Sequence, residues 1–235
     1  MRRRGRGFFV FLVAVLAAFA SLGAQAPTLD ALERAVAEGP EYLRLAADYR
    51  QMVVAAGKFD RSINFLQTLA NRKGSGPNIK ISLALAYVDK VPTAGEIRRL
   101  YLGRSAMNTL TKSIEQRPSV LAYYVRGVIN LYYNNLIFHR APRGIDDLQK
   151  ALSLVTPETP PVLAWRVWAS LGDGYWRIEQ TDKAREAWKK GLALFPDAPE
   201  LNRRTSGDDG VVERIVHDAL DPDTRVDSSL RGMVP

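Results

Sequence analysis

The 235-residue chain contains no cysteine. That excludes a disulfide framework, thiolate chemistry and a lipid-modified cysteine near the N-terminus. Histidine is nearly as scarce, with only His139 and His217, which lie in different segments. Neither has partners at metal-ligand spacing, so the residues point to no metal and no cofactor. No glycine loop is suited to a phosphate: Gly74-Ser75-Gly76 runs into Pro77 and lacks the lysine of a P-loop. Asp146-Asp147 and Asp208-Asp209 are carboxylate pairs, but adjacent residues do not share a helix face. The first pair is therefore expected in a solvated turn. With no catalytic grouping, the expectation is a protein that is not an enzyme. Alternating strand patterns and low-complexity segments are also missing.

An apolar run long enough for a membrane span is lacking too. The uncharged stretch 8–22 has 15 residues, against about 20 for a span. It follows Arg2, Arg3, Arg4 and Arg6 and precedes Ala24-Gln25-Ala26, so residues 1–26 read as an export signal. Pro27 would hinder cleavage after Ala26, which makes Gly23 or Ala24 alternative sites. A retained membrane anchor is the rival reading. The expected location is periplasmic or secreted. Removing these four arginines from 33 basic residues leaves 29 against 25 acidic ones, about +4 rather than +8. The high pI of 9.8 is then weak support for nucleic-acid binding, and none is expected.

What the chain does have is helical periodicity. In 165–198, Trp168, Leu171 and Tyr175 are spaced to share one helix face. Ala184, Trp188 and Gly191 share a face of a second helix. Gly172 and Ala184 are small enough for two antiparallel helices to approach closely, and Pro196 marks the exit. Prolines recur at 77, 118, 157 and 196, at spacings of 41, 39 and 39.

The set Trp168, Leu171, Gly172, Tyr175, Ala184, Trp188 and Pro196 resembles the signature of the tetratricopeptide repeat, W-x₂-L-G-x₂-Y then A-x₃-F and a closing proline. Trp188 stands where the signature has Phe. A single repeat cannot bury its apolar face, so at least three are expected. The resemblance implies an all-α fold, a right-handed superhelix (α-solenoid) of about four helix pairs.

The remaining repeats are degenerate. A helix is expected over 28–38, capped by Asp30 with Glu33 three residues on. Residues 27–40 then precede a repeat domain over 41–199. Its units are 41–77, 78–118, 119–160 and 161–199. The first has helix 41–56, a turn at Gly57-Lys58-Phe59-Asp60, and Ile63, Leu66, Leu69 and Ala70 at helical spacing. In the second, Tyr87 and Ala106 are 19 residues apart, against nine between Tyr175 and Ala184. The ten inserted residues are expected to lengthen the second helix toward a capping box at Thr93 and Glu96. The third places Gly127 and Gly144 on its two helices, with a long linker over 134–142. Residues 200–220 read as a polar linker and a capping helix over 211–220, and 221–235 as a flexible tail.

The resemblance carries an inner, concave surface onto the first helix of each repeat. It assigns a protein-binding groove to Tyr124, Tyr132, Arg166, Asp173, Trp176 and Arg177. Trp176 turns about 100° away from the packing residue Tyr175. An exposed Trp between Arg166 and Arg177 suits a binding surface. The competing expectation packs Trp176 and Tyr124 against the capping helix or the 134–142 linker. Some members of the family hold a C-terminal carboxylate with a clamp of Lys, Asn and Arg, and the corresponding first-repeat positions here are Ala47 and Gln51. A chaperone-type clamp is therefore not expected. The leading function is an exported scaffold holding a peptide or helix of another envelope protein. The alternative is a small-ligand carrier with a pocket between repeats. An open groove favours the first and a closed cavity lined by Tyr124 and Tyr132 the second.

Overall fold

A computed structural model describes residues 28–133, 135–221 and 227–235. The expected export signal lies outside them. Among the described residues there are helices and no strands, and no helix is long and apolar enough to cross a membrane.

Helix α1 (Leu29–Glu38) opens the described chain. Its cap is Thr28, whose hydroxyl accepts the Ala31 N–H at 3.2 Å. Asp30 and Glu33 do not form the expected cap. Both bind Arg61 on α3 (Phe59–Ala70), with Glu33 at 2.8 Å. Repeat one pairs α2 (Leu43–Ala55) with α3, turning at Gly57 with φ 66°. Glycine adopts that left-handed conformation without a Cβ clash.

Repeat two pairs α4 (Pro77–Lys90) with α5 (Glu96–Gln116). The ten inserted residues do extend the second helix, which reaches 21 residues. The capping box does not form, because Gly95 holds the N-cap. Thr93 instead closes a 3₁₀ turn over Val91–Thr93 by donating to the Lys90 carbonyl at 2.9 Å. Pro77, expected to close repeat one, stands in the first turn of α4, where its missing N–H leaves no bond unmade.

Repeat three pairs α6 (Val120–Tyr132) with α8 (Ala141–Ser153), and the linker between them contains the short helix α7 (Asn135–Phe138). A Cβ added to Gly127 would lie 3.1 Å from the Gly144 carbonyl, and one on Gly144 would lie 2.9 Å from the Gly127 carbonyl. Two glycines let these backbones touch. Asp147 departs from its expected solvated turn. It lies within α8, buried, and accepts from Arg126 at 2.9 and 2.6 Å.

Repeat four pairs α9 (Pro161–Arg177) with α10 (Thr181–Leu194). Trp188 is 0% exposed, and a Cβ on Gly172 would collide with its Nε1. The indole N–H donates to the Ala169 carbonyl at 3.0 Å. The pairing is therefore built around one ring, with glycine the only residue that fits beside it.

Two expectations for the C-terminal region are corrected. The polar linker is largely helical: α11 (Pro199–Ser206) precedes the cap α12 (Asp209–Ala219). Leu201 and Arg204, three residues apart, turn one face of α11 inward and are buried. The segment 227–235 is no loose tail. Leu230, Met233 and Val234 are 1%, 2% and 7% exposed. Apolar burial and two arginine contacts hold it against the helix array.

Candidate functional site

Two apolar clusters run through the array, one centred on repeat one and α4, the other extending from α4 to the C-terminus. Between α4, the extended end of α5, and α6 they leave a cleft of about 350 Å³. Leu85 and Val88 come from α4, and Leu100 and Gly103 from α5. Val128 and Tyr132 come from α6, and Leu230 and Met233 from the C-terminal segment. Helical spacing explains the set: Leu85 and Val88, Leu100 and Gly103, and Tyr124, Val128 and Tyr132 each recur at three or four residues.

The cleft is open to one side, and large apolar side chains on the elements that line it are exposed. Phe138 lines it and is 41% exposed. One helical position beyond the lining residues of α5, Ile97 and Tyr101 are 75% and 64% exposed. They are four residues apart and share a face of the inserted turns. Charge is sparse here: Glu96, Arg99 and Asp227 are the charged members of the lining. Arg99 donates to the Ala94 carbonyl at 2.9 Å.

Of the six residues assigned to a groove by the sequence, Tyr124, Tyr132, Arg166 and Asp173 lie near one another on α6 and α9, while Trp176 and Arg177 reach other partners. Tyr124 and Tyr132 line the cleft. Burial raises both phenols above their ordinary pKa, and Tyr132 donates to the Ala219 carbonyl at 2.9 Å. Arg166 faces the same side but binds Asp227 at 2.9 Å. Asp173 is buried and accepts from Arg204 at 2.7 and 2.8 Å. Burial acts to lower the Arg204 guanidinium, but Asp173 and Glu200 outweigh it and raise it. Trp176 packs on Trp188, ring centroids 5.7 Å apart, and donates to Glu213 of α12 at 2.5 Å. Arg177 is half-buried, lowered by desolvation, and reaches the Tyr133 carbonyl at 3.3 Å. Asp173 and Trp176 thus face the C-terminal helices, which cover the surface that an isolated fourth repeat would expose.

Sequence reasoning missed the side chains that shape this region. Ile97, Leu100 and Tyr101 read as one run along α5, yet nothing local indicates which of them lack a packing partner. Arg50 reads as part of a helix side. It is 0% exposed and donates to Asp89 at 2.9 Å and to the Ser228 carbonyl at 2.6 Å. Among the described residues no group of three or more His, Asp or Glu is placed to hold a metal ion.

No protein-family model matches the chain, and no curated protein matches it. Among solved structures, it is similar to a thermophilic tetratricopeptide-repeat protein of Thermus thermophilus. The TM-score is 0.58 at 20% identity, over 85% of this chain and 94% of that one. The likeness shows the fold: an all-α tetratricopeptide-like solenoid.

Proposed function

We propose that this tetratricopeptide-like solenoid is a non-enzymatic scaffold that docks an apolar segment of another protein over the cleft between repeats two and three. The observation that carries the reading is the exposed rim. A small ligand would fill the cleft yet leave Ile97 and Tyr101, 75% and 64% exposed, in water. A peptide or amphipathic helix would cover cleft and rim together, with anchors at helical spacing. Exposed aromatic and aliphatic side chains around a pocket are the usual anchors of such contacts. The carrier reading has its own support, since 350 Å³ falls in the range of about 300–1,000 Å³ for small-molecule sites. Residues 1–26 support export, and hence a partner in the envelope or outside the cell.

Site-specific photo-crosslinking in the source cell tests the docking reading. A crosslinker at position 101 should trap a discrete protein, and one at exposed position 190 on α10 should not. The purified partner should then lose at least tenfold in affinity for an Ile97→Asp, Tyr101→Asp double variant. Equal trapping at both positions, or a small molecule bound in the purified protein and unaffected by the rim changes, would sink it.

A further inference from the structure

The segment 227–235 is held as a bound peptide is held. It has no regular secondary structure. Its contacts come from the first helices of repeats one, two and four, and it walls the cleft beside α6. Arg166 of α9 binds the Asp227 carboxylate at 2.9 Å. Arg50 of α2 binds the Ser228 carbonyl at 2.6 Å. The Ser228 hydroxyl donates to Asp89 of α4, which is itself paired with Arg50 at 2.9 Å. Leu230 and Met233, three and six residues after Asp227, are buried and form one wall of the cleft. A turn closes between them, Met233 N–H to the Leu230 carbonyl at 3.0 Å. Gly232 sits at φ 71°, where a Cβ would meet Val162 of α9 at 2.9 Å.

We propose that the face built by the first helices is a peptide-binding site, filled here by the chain's own 227–235 as an internal ligand. Its external ligand is an extended segment of another protein with the same chemistry. That segment carries a carboxylate for Arg166, a small hydroxyl residue beside it for Arg50 and Asp89, and apolar side chains at the third and sixth positions after the carboxylate. The array recognises the segment through side chains, one carbonyl and apolar pockets. A chain in trans can supply each of these without any helix of the array changing partner. The internal copy competes at an effective concentration on the order of millimolar. The site is therefore masked from weak ligands and opens only to a segment that fits better. Displacement would also remove the Leu230 and Met233 wall and join this face to the apolar cleft. The site adjoins the cleft, but none of its polar contacts involves Ile97 or Tyr101, so the two readings can fail independently.

The test uses the full chain and a fluorescein-labelled synthetic peptide with the sequence of residues 227–235. Parent protein should bind it weakly. A Leu230→Asp, Met233→Asp variant, which loosens the internal copy, should bind it at least tenfold more tightly. Adding Arg166→Gln should undo that gain, and a scrambled peptide should show none. The milder Leu230→Ala variant serves where the double aspartate variant does not fold. Hydrogen exchange on the parent gives a second reading. Amides of 229–234 should exchange through local opening, at least tenfold faster than those of α6. A folded variant with no gain in peptide binding would overturn the proposal. So would exchange of 229–234 at the rate of the α6 core, since the segment would then open only with the whole fold.

Discussion

The indole N–H of Trp176 donates to the Glu213 carboxylate at 2.5 Å, tying the end of α9 to the cap α12. The same ring lies against Trp188. Trp176 therefore belongs to the packing of repeat four and its cap. Trp176→Ala should cost about 1–3 kcal/mol of stability, the range for losing a half-buried contact. Trp176→Phe and Glu213→Gln should each cost less, and in a double-mutant cycle their effects should not add. Thermal melting of the four proteins checks this; full additivity would mean the bond contributes nothing.

The ring at the centre of repeat four gives a larger effect. Trp188 is fully buried, so Trp188→Ala should cost roughly 3–5 kcal/mol. Gly172→Leu should destabilise by about 1–3 kcal/mol or more, because the added Cβ already collides with the indole. Urea denaturation with unchanged slope is the measurement. A parent-like midpoint for either variant would contradict the packing described.

Arg204 and Asp173 form a buried pair, each side chain 4% exposed. Arg204→Met alone leaves an uncompensated buried carboxylate, at about 3–5 kcal/mol. The double variant Arg204→Met, Asp173→Leu should recover most of that loss. A double variant no more stable than the single one would show that the pair contributes more than its own compensation.

Arg61 links α3 to α1 through Glu33 and Asp30. Its hydrogen bond holds Glu33 below the ordinary glutamate pKa, with burial opposing and the Tyr49 hydroxyl adding to the lowering. A carboxyl lowered in the folded state stabilises above its unfolded value, about 4.3. That contribution is lost as the pH falls through the folded value. The melting temperature of the parent should exceed that of Glu33→Gln at pH 7. The gap should narrow below about pH 4, and a gap constant down to pH 3 would remove the titration from the account.

If residues 1–26 are removed on export, N-terminal sequencing of the exported protein should begin between Ala24 and Pro27. An intact Met1 in a membrane fraction would establish an anchor instead.

Repeat four was legible in the sequence because its packing is local. Gly172 lies against Trp188 and Gly191 against Trp168 within a single helical pair, and spacing alone encodes that. The ten-residue insertion was legible for the same reason: it changes a distance between two recognisable positions. Trp176 was not, because the repeat in isolation turns it outward, and only α12, some 35 residues later, covers it. Asp147 was hidden by its neighbour, since an acidic pair reads as solvated when only one member is. The segment 227–235 carried no signal at all. Nine residues without periodicity look like a tail, and its fixing contact, Arg50 to Ser228, spans 178 positions.

A helix-pair solenoid is ordinarily a spring, with each turn touching only the next and the two ends free to move apart. Here Arg50 of repeat one and Arg166 of repeat four hold consecutive residues, Ser228 and Asp227. The ends of the spring are knotted at one peptide unit. Stretching or fraying either end strains the other, so the array should yield to force or heat in a single step while the knot holds. Once a competing segment unties it, the same four repeats become compliant and can give way one by one.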